Sequence, residues 1–172
     1  MKTKKTLRTL VILLILSSNV GCDQVTKNIV RAQIDQYEQI SLLNDYVTLM
    51  RVENSGAFLS LGHTLPQPIK VILLTILPIV LLVLCFLYVV TKNNLSTLNI
   101  LGICFIIGGG AGNIYDRAVT GSVTDFIHID FGILQTGIFN MADVSVMTGM
   151  LFVLTEAYLT RNKLDNETVN GQ

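Results

Sequence analysis

The run Ile69 to Val90 (IKVILLTILPIVLLVLCFLYVV) narrows what this chain can become more than any other feature. Its only charge is Lys70, at the edge. About 20 apolar residues in an α-helix cross the hydrocarbon of a bilayer. Lipid offers no partner to a backbone N–H or C=O, so an isolated run of this kind must be helical. Pro78 predicts a kink, which membrane helices tolerate. Composition agrees: the 172 residues are 51% hydrophobic and 14% charged, where a soluble domain carries roughly 25% charged residues.

Three more apolar segments follow the same logic: about Leu7 to Cys22 with helix extending toward Val30, about Leu95 to Asn113, and about Ile138 to Leu159. The expected fold is an all-α membrane protein with four transmembrane helices. Residues 1–161 make one integral membrane domain, and 162–172 a polar, disordered cytoplasmic tail. Zero net charge argues against nucleic acid as a partner. Lys2, Lys4, Lys5, Arg8, Lys92, Arg161 and Lys163 fall on one side, and Lys27, Arg31, Arg51, Lys70 and Arg117 on the other. That bias, led by the Lys2–Arg8 cluster, puts both termini in the cytoplasm. The two outer connections each hold a β-prone stretch, Tyr46–Val52 (YVTLMRV) and Val123–Ile129 (VTDFIHI). They predict a small β-rich element on the outer, periplasmic face.

Three cysteines, Cys22, Cys85 and Cys104, build neither a disulfide framework nor a zinc site. The segment SNVGC resembles the end of a lipoprotein signal, which would make Cys22 a lipidated residue and the chain a multi-pass lipoprotein. Asn19 stands where such signals want an aliphatic residue, and three further spans follow. Cys22 is therefore read as the end of the first helix. His63 and His128 are not spaced as metal ligands.

Polar residues gather in five places. Asp23 and Lys27, four apart on a helix, read alone as an exposed ion pair at a helix end. Asn54 can hold a peptide backbone with its donor and its acceptor, and Gly56 lets a backbone approach closely. Gly108 and Gly112 form a helix-packing face, and no Lys-Ser or Lys-Thr follows to make a phosphate loop. Asn113, Asp116 and Arg117 share a helical face, with Arg117 expected to pair with Asp116 and keep it ionised. Asp125 and Asp143 have no cation near them in sequence, and Asn140 lies one turn before Asp143. A carboxylate near hydrocarbon costs several kcal/mol by most estimates. Two acids that meet in a dry site cannot both ionise, so they share a proton and can activate water. Asp130 is read as solvated.

Taken in order, DQVTK (Asp23–Lys27), NSGAF (Asn54–Phe58), GGGAGNIYDR (Gly108–Arg117), GSVTDF (Gly121–Phe126) and FNMAD (Phe139–Asp143) resemble the bacterial lipoprotein signal peptidases, signal peptidase II. The resemblance covers most of the chain apart from the tail. It implies an intramembrane aspartic endopeptidase of the inner membrane, cutting lipidated prolipoproteins just before the diacylglyceryl-modified cysteine, near the outer face. By position Asp125 and Asp143 would be the catalytic pair. Asp23, Lys27, Asn54, Gly56, Asn113, Asp116, Arg117 and Asn140 would shape the site and hold substrate. No metal or other cofactor is implied. The implied partners are prolipoprotein signal peptides, membrane lipid and the inhibitor globomycin, with the enzyme a monomer. Phe58 replaces an Ala frequent in the family's block. The competing reading is a small four-helix transporter or proton channel, whose acids would be spread across membrane depth.

Overall fold

A computed structural model describes residues 2–56 and 64–170, with side chains for 6–56 and 64–163. Ala57, Phe58 and His63 lie outside the described residues. Among the described residues, four helices are long and apolar enough to cross a membrane. The first is α1 (Lys2–Gln33). The second span joins α2 (Gln67–Val71), a π-helical turn (Ile72–Ile76) and α3 (Leu77–Thr91). The third is α4 (Thr97–Thr120) and the fourth opens α5 (Met141–Asn170). Strands β1 (Gln39–Leu42), β2 (Val47–Asn54) and β3 (Val123–Ile129) form one antiparallel sheet in that order.

Three boundaries differ from expectation. α1 passes Cys22, which is exposed within it, and the expected extension toward Val30 runs on to Gln33. The extension is held because Val30 and Ile34 bury against Phe126 of β3. α5 continues to Asn170 in place of a disordered tail. Pro78 sits in the first turn of α3, where its missing N–H costs little, and the irregularity falls just before it as the π-helical turn.

α4 is the central element, packed on α1, α3 and α5. Ser96 caps its start by accepting from the Asn99 N–H at 3.2 Å, and Gly121, at φ +80°, ends it. Glycines set its packing distances. A Cβ at Gly109 would press on Ala142 and Ser145 of α5, and one at Gly102 would lie 2.7 Å from the Gly149 carbonyl. A Cβ at Gly108 would lie 2.6 Å from the Cβ of Asn19 on α1. The Gly108–Gly112 packing face is thus present, and it lies against α1. With no hydrophobic drive between helices in lipid, such close approach supplies the van der Waals contact that holds them.

In the sheet, Val47–Leu49 of β2 pair with Ile127–Ile129, and Val52–Asn54 pair with Val123–Asp125. The shift between Leu49 and Val52 inserts one extra residue in β2. Bulges of this kind re-aim side chains beside functional sites. Beyond this one, Asn54 and Asp125 fall on the same sheet face as diagonal neighbours.

Candidate active site

Four elements deliver carboxylates and amides to one place. Asp125 comes from β3, Asn54 from β2, Asn113 and Arg117 from α4, and Asn140 and Asp143 from the start of α5. They meet around a cavity of about 290 Å³, which Leu73, Leu74 and Pro78 of the second span close on one side. The π-helical turn therefore lines the site, a common location for such turns.

α5 begins with a reciprocal cap. The Asn140 Oδ1 accepts from the Asp143 N–H at 3.0 Å, and Asp143 Oδ2 accepts from the Asn140 N–H at 3.1 Å. This is the capping-box geometry, at the positive end of the helix dipole. It leaves the Asn140 Nδ2 free to donate outward, to Asp125 Oδ1 at 2.7 Å and Asn113 Oδ1 at 3.1 Å. Asn54 follows the same pattern. Its Oδ1 accepts from the Gly56 N–H at 2.9 Å, and its Nδ2 donates to Asp125 Oδ2 at 3.0 Å. Asn113 completes the set: Oδ1 accepts from Lys27 Nζ at 2.9 Å and Nδ2 donates to Asp143 Oδ1 at 2.9 Å. Each amide oxygen is held by an N–H of the backbone or of Lys27. Each amide nitrogen is thereby turned on an acid, so both Asp125 and Asp143 receive two N–H donors.

Asp125 is only 5% exposed. Burial pushes its carboxyl up to about 6, against the two amide donors, with Asp143 adding to the rise. A like charge nearby and loss of solvent act in the same direction on a carboxylate.

Behind Asn113 lies a charged cluster inside the helix bundle. Lys27 Nζ is 2.8 Å from Asp23 Oδ2 and 2.8 Å from Asp116 Oδ2. Asn113 Oδ1, at 2.9 Å, is the third oxygen around the ammonium. Arg31 adds a 3.1 Å contact to Asp116, so two acids balance two cations. Gln24 bridges Asp23, Asp116 and the Gly112 carbonyl, and Asp23 Oδ1 accepts from the Ala142 N–H at 2.9 Å.

Two expectations need correction here. Asp23 and Lys27 are fully buried, not an exposed pair, because α4 and α5 close over them. Asp116 does not pair with Arg117. Successive helix residues point about 100° apart. Asp116 therefore faces α1, while Arg117 faces the cavity and donates to the Gly56 carbonyl at 2.8 Å. Sequence reading also passed over Gln24 and Asn19. Asn19 accepts from Ser145 Oγ at 2.6 Å, and its one signal was a polar residue in an apolar span. Asp130 accepts from the Gly132 N–H at 2.6 Å in a turn. Among the described residues no His/Cys/Asp/Glu group is arranged to hold a metal.

Gly112 is the narrowest point of this assembly. A methyl there would meet the Asp23 carboxylate, its Cγ at 3.1 Å. Gly112→Ala gains up to about 1 kcal/mol of helix propensity, but overpacking typically costs about 1–3 kcal/mol. Because the obstructed group is half of an ion pair, the cost prevails. The expected result is a lower melting temperature in detergent, with activity falling along with it.

The signal peptidase (SPase) II family model matches residues 11–159. The lipoprotein signal peptidase of Aquifex aeolicus is 31% identical over 145 residues, spanning 84% of this chain and 83% of that one. That of Streptococcus pneumoniae is 30% identical over 154 residues, spanning 90% and 93%. Among solved structures, a bacterial membrane enzyme determined by the in meso method shares the fold. Its TM-score is 0.75 and its identity 24%, over 94% of this chain and 92% of that one.

Proposed function

The chain belongs to the signal peptidase II family, and on that premise we propose that it removes signal peptides from lipidated prolipoproteins by aspartic catalysis, cutting before the lipid-modified cysteine. The observation that carries this reading is the amide frame that aims two N–H donors at each of Asp125 and Asp143 around one cavity. Asp125, whose carboxyl burial raises to about 6, serves as the acid and, when protonated, donates to the scissile carbonyl oxygen. Asp143 serves as the base and takes a proton from the attacking water. As the tetrahedral intermediate collapses, Asp143 gives that proton to the leaving amine and Asp125 regains its own from a hydroxyl of the intermediate. Arg117 and Asn54 flank the cavity and hold substrate backbone.

A second cavity lies across Asp143, lined by Phe139, Val144 and Met147. Its apolar walls suit the glyceride of a cysteine just past the scissile bond. In this reading both termini lie in the cytoplasm, as the Lys and Arg bias favours, and the site lies near the outer face. The acids and amides sit together at one end of the helices, which disfavours a proton path across the membrane.

The test is cleavage of a diacylglyceryl prolipoprotein by purified enzyme in lipid, with and without globomycin. Globomycin-sensitive release of the signal peptide is expected. Flux in proteoliposomes without proteolysis would restore the transporter reading.

A pH profile tests the proton assignment. If Asp125 is the acid, kcat/KM falls as pH rises through about 6. Asn54 stabilises the ionised form, so Asn54→Ala raises the Asp125 pKa further. The alkaline limb then moves to higher pH while the maximum rate drops. A limb that stays fixed removes Asp125 from that role.

A further inference from the structure

Beyond β3 the chain turns back and lays residues 135–139 along its free side. Phe139 exchanges both backbone bonds with Ile127, at 2.9 Å each, and the Thr136 N–H reaches the Ile129 carbonyl at 2.8 Å. In an antiparallel pair, bonded residues alternate with residues whose N–H and C=O point away. Ile138, next to Phe139, is such a residue. Among the described residues neither Ile138 nor Gly137 has a backbone partner, although both are half-buried. Half-buried, unpaired backbone groups are uncommon and call for a partner.

The position of Ile138 narrows what that partner is. Ile138 lines the cavity that holds Asp125 and Asp143, and also the adjoining cavity formed with Val52, Asn54 and Asp125. The unpaired edge thus runs beside the acids. A peptide bond can reach them only when the chain around it is extended, because a helix conceals its carbonyls in its own hydrogen bonds.

We propose that the edge at Gly137–Ile138 is a strand-docking site: the substrate residues around the scissile bond add to it as one more strand, pairing their main chain with Ile138. Main-chain pairing of this type gives affinity, while alternate side chains give specificity. It also supplies the bonds that the end of the signal peptide gives up when it leaves the helical state. This inference rests on the peptidase reading and adds a binding mode to it.

The experiment is an N-methyl scan of a lipidated substrate peptide, one backbone nitrogen at a time, against the wild-type enzyme. Strand addition predicts alternation: methylation at the residue paired with Ile138 lowers kcat/KM about tenfold, the value of one hydrogen bond, and methylation at its immediate neighbours changes it little. Uniform sensitivity, or none, overturns the proposal. If the unmethylated lipopeptide is itself not cut, the peptidase reading fails instead. Ile138→Pro, which deletes the edge N–H, is expected to lower kcat/KM about tenfold relative to Ile138→Val, which keeps that N–H. A proline variant with unchanged kinetics and melting temperature also overturns it.

Discussion

Asp143→Asn and Asp125→Asn are each expected to lower the rate of prolipoprotein cleavage by on the order of a thousandfold or more, the scale of a lost acid or base. Neither change alters size, so both variants should insert. Each disturbs the amide frame, because a new Nδ2 would face a donor already aimed at that spot. At position 125 it meets Asn54 or Asn140, whose oxygens are committed to the N–H groups of Gly56 and Asp143. A donor–donor mismatch of this sort costs about 1–3 kcal/mol. The melting temperature should therefore drop modestly while activity disappears. Substantial cleavage by either variant, measured on purified protein in lipid, would remove that acid from the mechanism.

Lys27→Met should produce the largest loss of stability. It strips the shared cation from Asp23 and Asp116, both about 1% exposed or less. Removing one partner from a buried ion pair costs about 3–5 kcal/mol, since the remaining charge has neither water nor counter-ion. That is a large share of the roughly 5–15 kcal/mol that holds a typical protein together. The double variant Lys27→Met/Asp23→Asn restores charge balance with Arg31 and Asp116 and should recover much of the melting temperature. Activity should remain below wild type, because the Asn113 oxygen keeps the Asn140 amide but has lost the Lys27 ammonium that helps orient it toward Asp143. If the double variant regains both, Lys27 has a structural role only.

These two expectations differ in how visible their residues were beforehand. Asp125 and Asp143 stood out as acids without a nearby cation beside apolar segments. Val123–Ile129 was legible as a strand to the residue, because β-branched and aromatic residues crowd it. Asn140 and Asp143 were visible as polar residues one turn apart at the start of a span, but the cap they form was not. The partner of Asp116 was not legible in this way. Its cations come from α1, more than eighty positions away, and local spacing offered Arg117 instead. Strand β1 is four residues long and exposed throughout, so burial left no pattern to read. The end of α1 beyond Val30 depends on Phe126, a contact made only when the sheet folds over it.

By itself the amino-acid sequence determined the membrane class, the four spans, two of the three strands and the pair of acids. Those follow from local rules: apolar length, period and the cost of a charge near lipid. The tertiary structure alone decided which way each amide points. An asparagine side chain is symmetric in shape but not in chemistry, and its orientation is chosen by whatever donor its oxygen meets. Here those donors are the Gly56 and Asp143 N–H groups and the Lys27 ammonium. They reach the site from a loop, from the first turn of α5 and from inside the bundle. Only their convergence turns three ordinary asparagines into a frame that feeds N–H bonds to both acids.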